Sequence, residues 1–192
     1  MKTDIILAGV GGQGILSIAA AIGVAAVQEG LNLKQAEVHG MSQRGGAVQS
    51  HLRLSSDPIS SDLIPKGKCD LILSVEPMES LRYLPFLAKD GWVVTNTKTF
   101  QNIPDYPEES EVFKEIEKIE NHVLVNADKL ARDLGSVKVA NIVMLGAAVD
   151  KIGLQITALE QALGILFGRK GEEMVNKNIE ALRAGRKAAM GD

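Results

Sequence analysis

The chain alternates short apolar runs with longer amphipathic or apolar ones. Thr3 to Ala8 is a brief branched-aliphatic stretch that stops at glycine, and it predicts a strand buried on both faces. Ile15 to Gln28 is rich in alanine and aliphatics and is followed by Gly30, which predicts a helix with a C-terminal stop. Gln35 to Val38 then resumes a short strand. From Ala47 to Leu54 the pattern alternates, with Val48, Ser50, Leu52 and Leu54 on one face and Gln49, His51 and Arg53 on the other, which predicts a half-exposed strand. Two prolines among turn formers make Ser55 to Lys68 a loop. Asp70 to Val75 reads as a buried strand, Met78 to Leu87 as a short helix and Gly91 to Thr95 as a further strand.

The second half is mostly helical. After a proline-bearing loop from Asn96 to Pro107, Glu109 to Glu120 places Val112, Phe113, Ile116 and Ile119 on one side of a helix. Val123 to Val125 forms a last strand, Asn126 caps the next element, and residues 127–188 read as helix. Strands alternating with helices predict an α/β fold: a Rossmann-like, largely parallel sheet flanked by helices, with a helical C-terminal region, in one domain over residues 1–192. Residues 139 to 149 are apolar nearly all round, Asn141 being the one strongly polar member, so they form either a central buried helix or part of an interface.

Ile5 to Val27 carries no charge and is long enough to span a bilayer, but Gly9-Val-Gly-Gly-Gln-Gly14 interrupts it, so a buried strand and helix in a cytoplasmic protein is expected instead. A net charge of −3 and seven aromatic residues argue against a nucleic-acid partner. The single cysteine, Cys69, excludes a disulfide framework and an iron-sulfur cluster built by this chain alone. Glycine is the enriched residue, and nine of the 19 precede residue 47.

Those glycines form two groups. Gly9-Val10-Gly11-Gly12-Gln13-Gly14 fits G-x-G-x-x-G between a strand and a helix, where backbone N–H groups and the helix start attract phosphate. Glu37, 23 residues beyond Gly14, lies near where a ribose-binding acid stands in a dinucleotide fold. A tight turn whose glycines only permit close packing accounts for the same letters. The second group, His39-Gly40-Met41-Ser42-Gln43-Arg44-Gly45-Gly46, joins two strands without a helix between them, unlike the second crossover of a dinucleotide-binding half. If the first two strands run parallel, both loops leave the same carboxyl edge of the sheet. Arg44 would then offer a planar cationic fork to a phosphate or carboxylate. His39, His51 and His122 lack the spacing of a metal site, so no metal ligands are assigned. Cys69 reads as a small core residue.

With both loops in view, the chain resembles the gamma-type subunits of 2-oxoacid:ferredoxin oxidoreductases, and within them the indolepyruvate branch. The likeness rests on Gly9 to Gly14, Glu37-Val-His-Gly-Met-Ser-Gln-Arg-Gly-Gly46, Val48-Gln-Ser-His-Leu-Arg53 and Asn141-Ile-Val-Met-Leu-Gly-Ala147. It implies a complex that oxidatively decarboxylates arylpyruvates with coenzyme A as co-substrate and passes electrons to ferredoxin. The resemblance also implies a larger catalytic subunit carrying thiamine diphosphate, magnesium and the iron-sulfur clusters. A site of that kind uses a Gly-Asp-Gly motif, and here Gly-Asp occurs only at Gly191-Asp192. No cofactor is therefore expected on this chain alone, no membrane or nucleic acid is expected as a partner, and ferredoxin is reached through the larger subunit. The residues expected to face coenzyme A or substrate are Gly11, Gly12, Gln13, Gly14, Ser42, Gln43, Arg44 and Gly45, with Arg44 the candidate for an electrostatic role in catalysis. A free-standing dinucleotide-binding module and a purely structural subunit are the alternatives.

Overall fold

A computed structural model describes residues 1–39, 45–101 and 103–191 of the chain. Among these residues six strands form one sheet: β1 (Lys2–Val10), β2 (Asn32–His39), β3 (Ala47–Ser55), β4 (Cys69–Ser74), β5 (Leu87–Asn96) and β6 (His122–Val125), in the spatial order β2-β3-β1-β4-β5-β6. The helices are α1 (Ile15–Gln28), α2 (Pro77–Arg82), α3 (Glu109–Glu117), α4 (Ala127–Asp133), α5 (Ala140–Ile152), α6 (Ile156–Phe167) and α7 (Glu172–Met190). β1, β4, β5 and β6 pair in parallel, while β3 is antiparallel to both of its neighbours, β1 and β2. β2 therefore runs in the same direction as β1, and β3 is the one reversed strand.

Alternating residues of each strand enter different cores. Ile5 and Leu7 of β1, with Leu71 and Leu73 of β4, meet Ile18 and Ile22 of α1 and the central helix α5 on one face. Ile6 and Ala8, with Ile72 and Val93, pack with Ile64 and Tyr83 on the other. Met78 of α2 and Val112 and Ile116 of α3 cluster together beside that second layer. A side chain such as Ile18 or Ile22 contributes roughly 2–3 kcal/mol when fully buried, so this double-sided burial is what fixes the sheet's register. α1, which follows β1, and α2, which follows β4, thus lie on opposite faces. That divergence makes the gap between the carboxyl ends of β1 and β4 a topological switch point, where open α/β folds bind ligands.

Several sequence expectations shift in the structure. The helix expected over Met78 to Leu87 stops at Arg82, and a 3-10 turn over Leu84–Phe86 leads into β5 four residues earlier than Gly91, because Pro85 removes a helical donor. The helix expected from Glu109 to Glu120 ends at Glu117. β2 is longer than Gln35 to Val38, since its ladder with β3 runs from the Asn32↔Ser55 pair to the His39↔Val48 pair. β3 is not half-exposed: the segment after it folds back, so that the Ile64 N–H donates to His51 Nδ1 at 3.0 Å and Arg53 donates to the Ser61 and Leu63 carbonyls. His51 is buried, and Arg53 forms a two-pronged ion pair with buried Asp4 at 2.7 and 3.0 Å. The apolar stretch around residues 139–149 is the central buried helix. α5 crosses α7 so closely that a Cβ on Gly146 would lie 1.9 Å from the Leu182 carbonyl oxygen.

Candidate functional site

The first glycine loop is a tightly bonded turn at the carboxyl end of β1. The Gln13 N–H donates to the Val10 carbonyl at 3.1 Å, and the Gln13 side-chain oxygen accepts from the Val10 N–H at 2.8 Å. Gln13, expected as a ligand contact, thus spends its oxygen on the backbone and keeps only its NH2 for another molecule. Gly14 caps α1 in the left-handed region, at φ 80°, without any side-chain cap. Its carbonyl accepts from Ser17 N–H at 3.0 Å and from Asn141 Nδ2 at 3.1 Å. A Cβ at Gly14 would stand 2.6 Å from that same Asn141 nitrogen, so conformation and space both demand glycine. Gly12 also has positive φ but faces open space, with nothing within 4 Å of its missing Cβ.

The second loop meets the first directly. Gly11 N–H donates to the Gly46 carbonyl at 2.8 Å, and Gly45 N–H to the Gly11 carbonyl at 3.4 Å. Both loops thus occupy the edge of the sheet reached by the carboxyl ends of β1 and β2. Ser42, Gln43 and Arg44 lie outside the described residues. Glu37 does not take the ribose-binding place: its strand is separated from β1 by β3, whereas in a dinucleotide fold the acid is carried on the strand beside the first. That inserted strand removes the main support for the dinucleotide-module alternative.

Beside the first loop opens a cleft of about 700 Å3, bounded by Gly12 to Gly14, the carboxyl ends of β4 and β5, and the starts of α4, α5 and α7. Two lysines line it, Lys138 just before α5 and Lys170 just before α7, and neither is in an ion pair among the described residues. Asp128 is the opposing charge, and its carboxylate accepts from Asn96 Nδ2 at 2.7 Å. The Asn96 oxygen accepts from Ala127 N–H at 3.1 Å, so Asn96 ties β5 to the start of α4. Asn141 and Asn178 also line the cleft. In the sequence Asn141 stands out as the polar residue of an apolar helix and as the first residue of one of the segments that carry the family likeness, while nothing there assigns a role to Asn96 or Asn178. A lone asparagine at the start of an all-apolar helix was the available signal.

The other titratable groups are structural. Cys69 opens β4 at the opposite edge of the sheet, is 0% exposed, donates its thiol to the Leu71 carbonyl at 3.1 Å, and is pushed by burial to a pKa of about 12. It is therefore neither a nucleophile nor a metal ligand. Burial lowers the pKa of His51, Asp62 opposing that shift and Arg53 adding to it; its Nδ1 accepts from Ile64 N–H at 3.0 Å and its Nε2 meets the Gln49 side-chain amide. The buried carboxylate of Glu76, just past β4, accepts from Glu79 N–H at 2.8 Å, from Phe100 N–H at 3.2 Å and from the Tyr106 hydroxyl. It thereby fixes the segment after β5, which carries exposed Phe100 and Ile103. No group of three or more His, Cys, Asp or Glu among the described residues is placed to hold a metal ion, and no described helix is long and apolar enough to cross a membrane.

Comparison with known proteins agrees with this architecture. A model of the family described as pyruvate ferredoxin/flavodoxin oxidoreductase matches residues 4–188. The indolepyruvate oxidoreductase subunit IorB of Archaeoglobus fulgidus is 36% identical over 194 residues, covering 96% of this chain and 94% of that protein. The gamma subunit of a keto/oxoacid ferredoxin oxidoreductase from Geobacter sulfurreducens superposes with a TM-score of 0.68 at 26% identity, covering 99% of both chains. The 2-oxoglutarate:ferredoxin oxidoreductase of Magnetococcus marinus, solved with 2-oxoglutarate, coenzyme A and succinyl-CoA bound, gives a TM-score of 0.78 at 21% identity and shares the fold. The match covers 100% of this chain but 31% of that one, so this chain spans about a third of its length.

Proposed function

The chain belongs to the pyruvate ferredoxin/flavodoxin oxidoreductase family as a subunit of a 2-oxoacid:ferredoxin oxidoreductase, and we propose that it serves an enzyme acting on indolepyruvate or another arylpyruvate. In that reaction the 2-oxoacid and coenzyme A give an acyl-CoA and carbon dioxide, and two electrons pass to ferredoxin. The chain's part is to complete the active site with its two glycine loops. The observation that carries this reading is the contact of Gly11 with Gly45 and Gly46, which joins the loops into one backbone-rich edge beside a cleft. Gly11 to Gly14 and Ser42 to Gly45 then face the phosphates or carboxylate of coenzyme A or substrate, with Arg44 stabilising their charge.

The donor set of this chain does not fit the redox groups the family implies. One buried cysteine with a raised pKa cannot ligate an iron-sulfur cluster, and the chain has no Gly-Asp-Gly segment for thiamine diphosphate and magnesium. Those groups belong to a larger catalytic subunit, through which ferredoxin is reached. Exposed Val137, which lines the cleft, and exposed Leu16, Phe100 and Ile103, from α1 and the segment after β5, supply apolar surface for that subunit.

The test is the reconstituted complex with Arg44→Ala. Turnover should fall while the complex stays assembled and its cluster content is unchanged. Wild-type kinetics across a range of coenzyme A and arylpyruvate concentrations would remove the active-site role of the second loop. The purified chain alone should oxidise no 2-oxoacid, and activity from it would overturn the division of labour between subunits.

A further inference from the structure

We infer that Glu79 is a proton-binding site, and that its proton sets how firmly Glu76 holds the segment after β5. Two carboxylates are buried at the first turn of α2: Glu76 is 0% exposed and Glu79 1%. They are partnered unequally. Glu76 accepts from three donors, Glu79 N–H at 2.8 Å, Phe100 N–H at 3.2 Å and the Tyr106 hydroxyl. Glu79 Oε1 accepts from Arg82 Nε at 3.0 Å, but Glu79 Oε2 is buried and meets no donor among the described residues. An ionised carboxylate with a bare oxygen is costly in such a place, and a protonated one far less so.

The surrounding groups favour the proton. Burial pushes the Glu79 carboxyl up from its ordinary range, and the like charge of Glu76 adds to that against the pull of Arg82. Arg82 pulls weakly, because its side chain is 47% exposed and water screens the pair. Tyr83, four residues on, is neutral, its phenol pushed up by burial and by Glu79. The strands packed against α2 contribute apolar Ile6, Ala8, Ile72 and Val93, clustered with Tyr83. α3 meets α2 at a groove beside Met78 and Leu81, where Glu111, Lys114 and Glu115 are exposed, and Glu109 bonds Thr99 and faces Tyr106.

With Glu79 protonated, Glu76 is the one buried charge of the turn, and its three donors match it. With Glu79 ionised, two buried carboxylates share one half-exposed arginine. Two of the donors to Glu76, Phe100 and Tyr106, belong to a surface segment and can swing away with it, so rising pH loosens that segment. The sign follows from the folded chain binding this proton more tightly than the unfolded one. The contribution is full below the ordinary glutamate value of about 4.5 and is lost as pH rises through the higher folded value. Because the segment carries exposed Phe100 and Ile103, docking of the larger subunit becomes proton-linked. That last step rests on the docking role proposed above, and the proton site does not.

Two measurements on the purified full chain test this. In a carbon NMR titration of the side-chain carboxyls, with the signal assigned by its loss in Glu79→Gln, Glu79 should titrate above the ordinary glutamate range. Titration within or below that range would overturn the site. Exchange of the Phe100 amide hydrogen, corrected for its intrinsic pH dependence, reads the hold on the segment. Its opening equilibrium should rise with pH by up to about tenfold per unit while Glu79 ionises, the limit for one linked proton. Glu79→Gln, which stays neutral, should abolish the rise, and Glu76→Gln should open the segment further at every pH. A rise that survives Glu79→Gln, or a Phe100 amide indifferent to Glu76→Gln, would overturn the link. His51 does not confuse the reading, since its titration acts on stability with the opposite sign. Both readouts use the chain without its partner, so their failure would leave the glycine loops and their test with Arg44→Ala untouched.

Discussion

The contact between Gly14 and Asn141 carries a quantitative expectation. Alanine at position 14 must hold φ near 80°, which costs about 1–2 kcal/mol for an L-residue. Its Cβ would also stand 2.6 Å from Asn141 Nδ2, so the amide has to swing away and surrender its bond to the Gly14 carbonyl, about 1 kcal/mol more. Gly14→Ala should therefore destabilise the chain by about 2–3 kcal/mol, inside the range expected of strain plus one lost hydrogen bond. Asn141→Ala alone should cost about 1 kcal/mol or less, because the Gly14 carbonyl keeps Ser17 N–H as a donor and alanine is the better helix former. With Asn141 already removed, Gly14→Ala should cost only the backbone part. The double-mutant cycle thus predicts a coupling of about 1 kcal/mol between residues 127 positions apart. Urea unfolding followed by far-UV circular dichroism, with Trp92 fluorescence as the second probe, measures all four variants. If Gly14→Ala costs the same in both backgrounds, the asparagine does not brace the loop and the steric argument is wrong.

Two further outcomes follow from the packing and the buried histidine. Gly146→Ala places a methyl 1.9 Å from the Leu182 carbonyl oxygen and must force α5 and α7 apart, so it should cost about 2–3 kcal/mol or more and lower the melting temperature; a loss under about 1 kcal/mol would show that the crossing is looser than drawn. Because burial lowers the pKa of His51, the unfolded chain binds the extra proton first as pH falls through about 6.5, so stability should be full above that pH and decline below it. His51→Gln should flatten that part of the pH dependence in urea midpoints taken from pH 5 to 8, and an unchanged slope would assign it to other groups.

How far the sequence revealed this molecule depended on the distance between partners. α1 and the first glycine loop were legible to the residue, because strand, turn and helix follow one another and each signal is local. The reversed direction of β3 follows from the short, helix-free connection of residues 40–46, which cannot carry a parallel crossover; what no local signal showed is its place between β2 and β1. His51 and Arg53 looked solvent-facing for a related reason. Their alternation is real, but the partners that bury them, Ile64, Ser61 and Leu63, belong to a segment without periodicity. The cleft was the least legible feature. Its lining runs from Gly12 to Asn178, so no window of sequence contains it. Even so, its two ends left traces: a glycine that needs positive φ, and one asparagine in an apolar helix. The bond between them at 3.1 Å explains both letters at once. A glycine loop braced from the start of a buried helix is held in one shape, so the turn keeps its backbone groups in place without side chains of its own.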